Sequence, residues 1–225
     1  MRIAFIADIH SNLHALEVVI ERIGRLGVDA VACAGDIIGY GAFPNECCRV
    51  VAETADYCVF GNHDQAALRS DTVGMNPYAA KALKWTADKL NHESAKFLSS
   101  LAFGSRFRAE QISAAMFHGS PHGVEEYLFE GDLTEEMMQI ARSDLVILGH
   151  THVPYWVRFG KGMALNPGSV GQPRDGNPKA SFAVFDSSTP SCEIIRVEYA
   201  VGEAADAILA QGLPEFLAGR LSAGR

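Results

Sequence analysis

Short apolar runs alternate with amphipathic stretches from the start of the chain. Ile3–Ala7 is a continuous apolar run of strand length. Leu13, Leu16, Val19, Ile20, Ile23 and Leu26 then recur at helical spacing, and Gly27 supplies a stop. Ala30–Ala34 reads as a second strand, Pro44–Thr54 as a helix opened by proline, and Tyr57–Phe60 as a third strand. This β-α-β-α-β order, with nearly unbroken apolar strands, predicts a parallel sheet covered on both faces. From Gln65 to Leu101 the pattern is helical, interrupted at Gly74 and Pro77, with helices predicted over Pro77–Leu90 and Ser94–Ser100. Strands follow at Ile112–Phe117 and Leu145–Leu148, with a helix over Thr134–Arg142 between them. Tyr155–Phe159, Met163–Leu165, Ser181–Asp186 and Glu193–Tyr199 have no helices between them, which predicts antiparallel pairing. Short helices over Glu203–Ala210 and Glu215–Leu221 come last. With no repeat and no low-complexity linker, the expectation is one domain over 1–225 with a helical, cap-like insertion at about 65–101.

Composition narrows the class. A hydrophobic fraction of 48% over 225 residues supports a full core. The formal charge of −8 argues against a long nucleic-acid partner, which needs clustered Lys and Arg, but a bound metal can reverse the field locally. The five cysteines include no Cys-x-x-Cys pair, which points to reduced thiols. No apolar segment reaches the ~20 residues of a membrane span and no signal peptide is recognisable, so a cytoplasmic protein is expected.

The candidate chemistry sits where the apolar runs stop. Ile3–Ala7 leads into Asp8-Ile9-His10, Ala30–Ala34 into Gly35-Asp36, and Tyr57–Phe60 into Gly61-Asn62-His63-Asp64. Ile112–Phe117 leads into His118-Gly119, and Leu145–Leu148 into Gly149-His150-Thr151-His152. In open α/β sheets ligands gather beyond the carboxyl ends of the strands, so five endings would deliver metal-competent side chains to one crevice. Residues two apart in extended chain point the same way, which lets Asp8 act with His10 and His150 with His152. Any one ending alone reads as a helix cap or a turn. Five in this order, with Asp, Asn and His and without Cys, do not.

These motifs resemble the calcineurin-like metallophosphoesterase superfamily. Gly39-Tyr40-Gly41 and the stretch Asn166 to Arg174 resemble its bacterial branch of small single-domain phosphodiesterases. The resemblance implies a four-layer α/β/β/α sandwich with two central mixed β-sheets. It implies one metal held by Asp8, His10, Asp36 and His152, and a second held by Asp36, Asn62, His118 and His150, with Asp36 bridging. His63 would be general acid to the departing oxygen, with Asp64 orienting it. The reaction implied is hydrolysis of a phosphodiester or phosphoanhydride by a hydroxide shared between ions ~3.5–4 Å apart. Mixed imidazole, carboxylate and amide ligation suits two divalent or mixed-valence ions of Mn, Fe, Zn, Co or Ni.

The remaining candidates are less specific. Asn12 reads as a phosphate contact or a helix cap, and Arg174 as a phosphate partner or a surface ion pair. Tyr40, Asn76 and Tyr78 are candidates to line a substrate pocket, Tyr78 reading better as helix packing. The stripe Leu83, Trp85, Leu90 and Phe97 is core or the face of a homodimer. The expected partner is a small phosphate ester or nucleotide. The alternatives are a catalytically inactive protein-interaction scaffold on the same fold and an enzyme specific for dinucleoside polyphosphates.

Overall fold

The structure, a computed structural model, describes residues 1–160 and 162–225. The first strand, β1 (Arg2–Ile6), is buried on both faces, and its side chains divide by the two-residue period of extended chain. Ile3 and Phe5 enter one apolar cluster, Ala4 and Ile6 another. Helix α1 (Leu13–Gly24) begins where the Asn12 side chain accepts the Ala15 N–H, and it buries Ala15, Leu16, Val19 and Ile23. Next come β2 (Ala30–Cys33), α2 (Pro44–Thr54) with proline in its first turn, and β3 (Tyr57–Cys58). Strands β1, β2 and β3 are parallel, in register Ile3 with Ala30 and Cys33 with Cys58.

Three helices, α3 (Asn62–Arg69), α4 (Pro77–Lys89) and α5 (His92–Ser100), follow. Asn76 and Asn91 cap the second and third through their side-chain oxygens. The stripe within them is core: Leu83, Leu90 and Phe97 pack on the cluster beneath the first sheet, and Trp85 packs on a separate one.

The chain then forms β4 (Gly104–Ala109), β5 (Ile112–Phe117), α6 (Glu135–Ala141) and β6 (Leu145–Ile147). Strands β7 (Tyr155–Phe159), β8 (Gly162–Asn166), β9 (Ala180–Asp186) and β10 (Ser191–Val197) precede helices α7 (Val201–Ala210) and α8 (Glu215–Ala223). The sequence pattern assigns nothing to β4. It shows only Phe107 and Ala109 inward between outward Arg106 and Arg108, and Glu110 turns it back in the left-handed region (φ 56).

Two five-stranded sheets result, ordered β10-β9-β1-β2-β3 and β4-β5-β6-β8-β7. The two mixed sheets implied by the resemblance are therefore present, and the parallel run read from the opening strands is the β1-β2-β3 part of the first. The late antiparallel pairs do form, but β7–β8 completes the second sheet while β9–β10 crosses back to flank β1. Between the sheets lie Ile3, Phe5, Ala32, Met116, Ile147, Leu165 and Phe185. Helices α1 to α5 cover the outer face of the first sheet, and α6 covers the second through Met137 and Ala141. The order of layers is α/β/β/α. No helix among the described residues is long and apolar enough to cross a membrane.

The strand-exit loops are laced together by their backbones. Ile9 and His10 N–H groups both donate to the Asp36 carbonyl, and Gly149 N–H donates to that of His118. Val170 and Gly171 N–H groups donate to Ala7 and Asp8. A Cβ on Gly171 would overlap the Ile9 carbonyl, so only glycine permits that crossing. Gly171→Ala is expected to lower stability by at least ~2 kcal/mol, because backbone has to move on both sides of the contact. A denaturant midpoint unchanged from the parent would show that the crossing is not tight.

Candidate metal centre

Five loops bring their side chains to one buried spot. Asp8, His10, Asp36, His118, His150 and His152 are each less than 5% exposed. Asp8, His10, Asp36, His150 and His152 all have positive φ, between 50° and 66°. L-residues adopt that conformation at a cost, and here it turns each strand exit sharply.

Each histidine has one nitrogen committed to the backbone. His10 Nδ1 donates to the Ile38 carbonyl (3.2 Å), His118 Nδ1 to Ala34 (2.8 Å) and His152 Nδ1 to Gln172 (2.6 Å). His150 is turned the other way, with Nε2 donating to Glu125 (3.2 Å). A carbonyl can only accept, so these bonds fix the tautomers and leave the other nitrogen of each ring facing inward as a lone pair.

The inward atoms crowd one another. His10 Nε2 and His152 Nε2 are 3.1 Å apart, and Asp8 Oδ1, buried without a hydrogen bond, is 3.4 Å from the latter. His118 Nε2 is 3.1 Å from His150 Nδ1 and 3.2 Å from Asn62 Oδ1. Asp36 Oδ2 stands between the groups, 3.6 Å from His10 Nε2 and 3.4 Å from His118 Nε2. Its other oxygen is held by the His63 N–H at 2.8 Å. Acceptors at such distances repel unless a cation lies among them. Asp8, His10 and His152 form one group able to hold a metal ion; Asp36, His118 and His150 form another. The residues present therefore fit metal.

The ionisation pattern agrees. Burial holds the His10 and His152 rings well below the ordinary histidine pKa and brings His150 to about 3. Burial pushes the Asp8 carboxyl up to about 7 against the pull of His118. His118 is opposite: burial resists its charge, but the Asp36 carboxylate and the hydrogen bond to it raise it to about 10. Asp36 is likewise held well below the carboxylate range, the charge of His118 overcoming burial. With no ion bound, a proton on His118 is the local cation.

Two assignments change. Asp64 does not contact His63: one carboxylate oxygen accepts the Ile37 and Ile38 N–H groups, and the other accepts that of Gly61. It clamps the Asp36 loop to the start of α3, because a buried carboxylate takes the nearest unpaired N–H groups. Asn12 is used up as a cap, its oxygen on Ala15 N and its amide on the Gly171 carbonyl and the Tyr199 hydroxyl. Asn12 therefore has no role left in binding substrate. Tyr78, on α4, stacks on Phe216 of α8 with centroids 4.5 Å apart, in keeping with its reading as helix packing.

His63 is buried, and its Nδ1 has no partner. Its ring lies 4.9 Å from that of His10 and 4.6 Å from that of Tyr40, within metal-holding distance of His10 and Asp36. Gly39 (φ 103) makes room for it, since a Cβ there would be 2.7 Å from Nδ1. Arg174 lies 6.0 Å over the Tyr40 ring. A cleft of about 250 Å³ opens beside the cluster, walled by Tyr40, Asn62, His63, Asn76, Tyr127 and His150. Tyr127, 3.9 Å from the His150 ring centroid, went unseen in the sequence, because residues 123–132 carry no periodic pattern. Asn166 and Ser169 were visible only as motif letters. They brace the ligand loops, Asn166 through Gly149 and Thr151, and Ser169 through the Asp8 carbonyl.

Two stacked mixed sheets with His, Asp and Asn at their strand exits define a metal-dependent phosphoesterase fold. The chain belongs to the calcineurin-like phosphoesterase superfamily, whose domain model matches residues 1–190. It is 38% identical to protein MJ0912 of Methanocaldococcus jannaschii over 99% of this chain and 98% of that one. A metallophosphoesterase structure from Sphaerobacter thermophilus superposes with a TM-score of 0.88 at 35% identity, covering 100% of this chain and 99% of that one. The phosphodiesterase YfcE of Escherichia coli is 25% identical over 85% of this chain and 90% of its own length.

Metal uptake should release protons. At pH 8 the chelated protein carries a proton on His118 that a metal displaces. Adding Mn²⁺ in weak buffer is expected to acidify the solution, and apparent affinity should rise with pH toward 10. Uptake with no proton release would show that His118 is not a ligand.

Proposed function

We propose that this chain hydrolyses phosphodiester or phosphoanhydride bonds at a centre of two metal ions. Asp8, His10, Asp36 and His152 hold one ion; Asp36, Asn62, His118 and His150 hold the other. The reading rests on one observation: a buried set of acceptors, tautomers fixed by backbone carbonyls, meets at Asp36 Oδ2 beside an open cleft. Mn, Fe, Zn, Co and Ni all suit this mixed donor set. Ions bound there supply Lewis acidity toward phosphoryl oxygens and bring water into its ionisable range near neutral pH.

The chain's own residues do the rest. The carbonyl bonds keep the rings from rotating, so the ligand atoms need no rearrangement as charge develops. Arg174 adds positive field at the Asp8 side of the cluster, which favours a phosphate there. Tyr40 packs against the rings of both His10 and His63, which also meet edge to face. His63, on the cleft wall, donates a proton to the departing oxygen. Asp64 serves as a positioning residue for the loop of Asp36, and the helical segment at about 65–101 walls the cleft as part of a single domain. The five cysteines are free, which suits a cytoplasmic setting.

The protein with Mn²⁺ is expected to turn over a nitrophenyl phosphodiester at neutral to alkaline pH. Absence of turnover with every one of the five metals would sink the proposal. His63→Ala should cost roughly 10²–10⁴-fold on esters with poor leaving groups and much less on a nitrophenolate, with metal content unchanged. Loss of an ion from that variant would make His63 a ligand instead. Asp36→Ala should lose both ions together, as read by elemental analysis after gel filtration; two ions retained would refute the shared carboxylate.

A further inference from the structure

The cleft does not end at the metal cluster. At Asn76 it meets a second open cavity of about 650 Å³ between the start of α4 and helix α8. One wall is the stacked pair Tyr78 and Phe216, inclined by 23° and 46% and 49% exposed. Arg220 lies beside them, its guanidinium 5.5 Å from the Phe216 centroid and its Nε donating to the Arg225 carbonyl. An aromatic stack left open to a cavity has one ring face available to a flat ligand.

The cations are as informative as the rings. Arg174 reaches Gln172 Oε1 through one terminal nitrogen (3.1 Å), while its Nε is buried with no partner. Among the described residues, Asp175 pairs with Arg196, and no ion pair involves Arg174 or Arg220. The two guanidiniums feel each other's charge: burial first, and then Arg174, lower the pKa of Arg220. Main chain ties the loop of Arg174 to the end of the helix that carries Arg220. Gly176 N–H, in the Arg174 loop, donates to the Gly224 carbonyl at the end of α8 (2.9 Å). A Cβ on Gly224 would come 2.6 Å from Asn177 N, so the helix end is seated against that loop. Two cations with no side-chain ion pair among the described residues, beside the metal-ligand cluster and followed by an aromatic shelf, describe a receptor for an anion joined to a flat ring.

Resting on the phosphoesterase reading above, we propose that α8 completes the active site by forming the subsite for the leaving half of the substrate, and that this half is a nucleotide. Arg174 and Arg220 take its phosphate, and the base lies on Tyr78 and Phe216. Hydrolysis joins the oxygen of water to the scissile phosphorus. The bond from that phosphorus to the bridging oxygen breaks, and the oxygen leaves on the nucleotide phosphate; the water's protons go to that oxygen and to solvent. A single nucleotide unit fits better than a long strand, since the chain carries −8 and the cation pair is local.

The test compares the Mn²⁺-loaded parent with Phe216→Ala, Arg220→Gln and the conservative Phe216→Tyr. Substrates are diadenosine tetraphosphate and bis(p-nitrophenyl) phosphate; binding of AMP is measured by calorimetry. For Phe216→Ala and Arg220→Gln, kcat/KM on the dinucleotide should fall roughly tenfold more than on the small ester, mainly through KM, with AMP binding weakened to match. Phe216→Tyr should restore both. If the parent turns over the small ester but neither variant changes the substrate ratio or AMP affinity, the subsite is wrong and the phosphoesterase reading stands. If no ester is turned over while AMP binding still depends on Phe216 and Arg220, the subsite stands and the phosphoesterase reading falls.

Discussion

Lone pairs and carboxylate oxygens face one another at the mouth of the two sheets, in a space almost closed to water, with too few protons to separate them. That crowding is the constraint around which the rest of this molecule is arranged. Left alone it would push the strand exits apart. It is resisted by the apolar layer between the sheets, where Phe5, Met116, Leu165 and Phe185 are locked, and by backbone bonds that stitch the exit loops of β1, β2 and β8. A proton shared between His118 and Asp36 offsets part of the repulsion, and a bound cation would offset more of it.

Much of this was legible in the sequence because the signal was simple: an apolar run, then an acid, amide or histidine. Asp8, His10, Asp36, Asn62, His118, His150 and His152 stood out for that reason, and the structure gathers them. What the letters do not carry is backbone conformation and competition for hydrogen bonds. Asp64 looks like a partner for its neighbour His63, yet three backbone N–H groups take its oxygens first. Asn12 looks equally suited to phosphate or to a cap, and the free N–H of Ala15 decides between them. The opening β-α-β-α-β order reads correctly as the parallel run β1-β2-β3, but it carries no sign that β9 returns from far along the chain to pair with β1, a choice made by tertiary packing.

The two ends of the chain contribute differently. The matched family domain, residues 1–190, contains every side chain of the metal cluster. Helices α7 and α8 lie beyond it and build a separate apolar cluster in which Ile208, Leu217 and Leu221 pack with Ala79 and Ala82 of α4 and with Tyr40. The C-terminal helices thus pack on the residue that contacts both His10 and His63. Chemistry and shape of the cleft are drawn from different stretches of sequence, and Tyr40 is where they touch.

The carbonyl bonds to the four histidines have a further meaning. The rings are pinned by main chain from three loops, His10 and His118 both by the loop after β2, so the opening between the nitrogens is set by main chain. Such a cage is gauged like a fixed aperture. An ion bound there would have to take the spacing that the main chain sets.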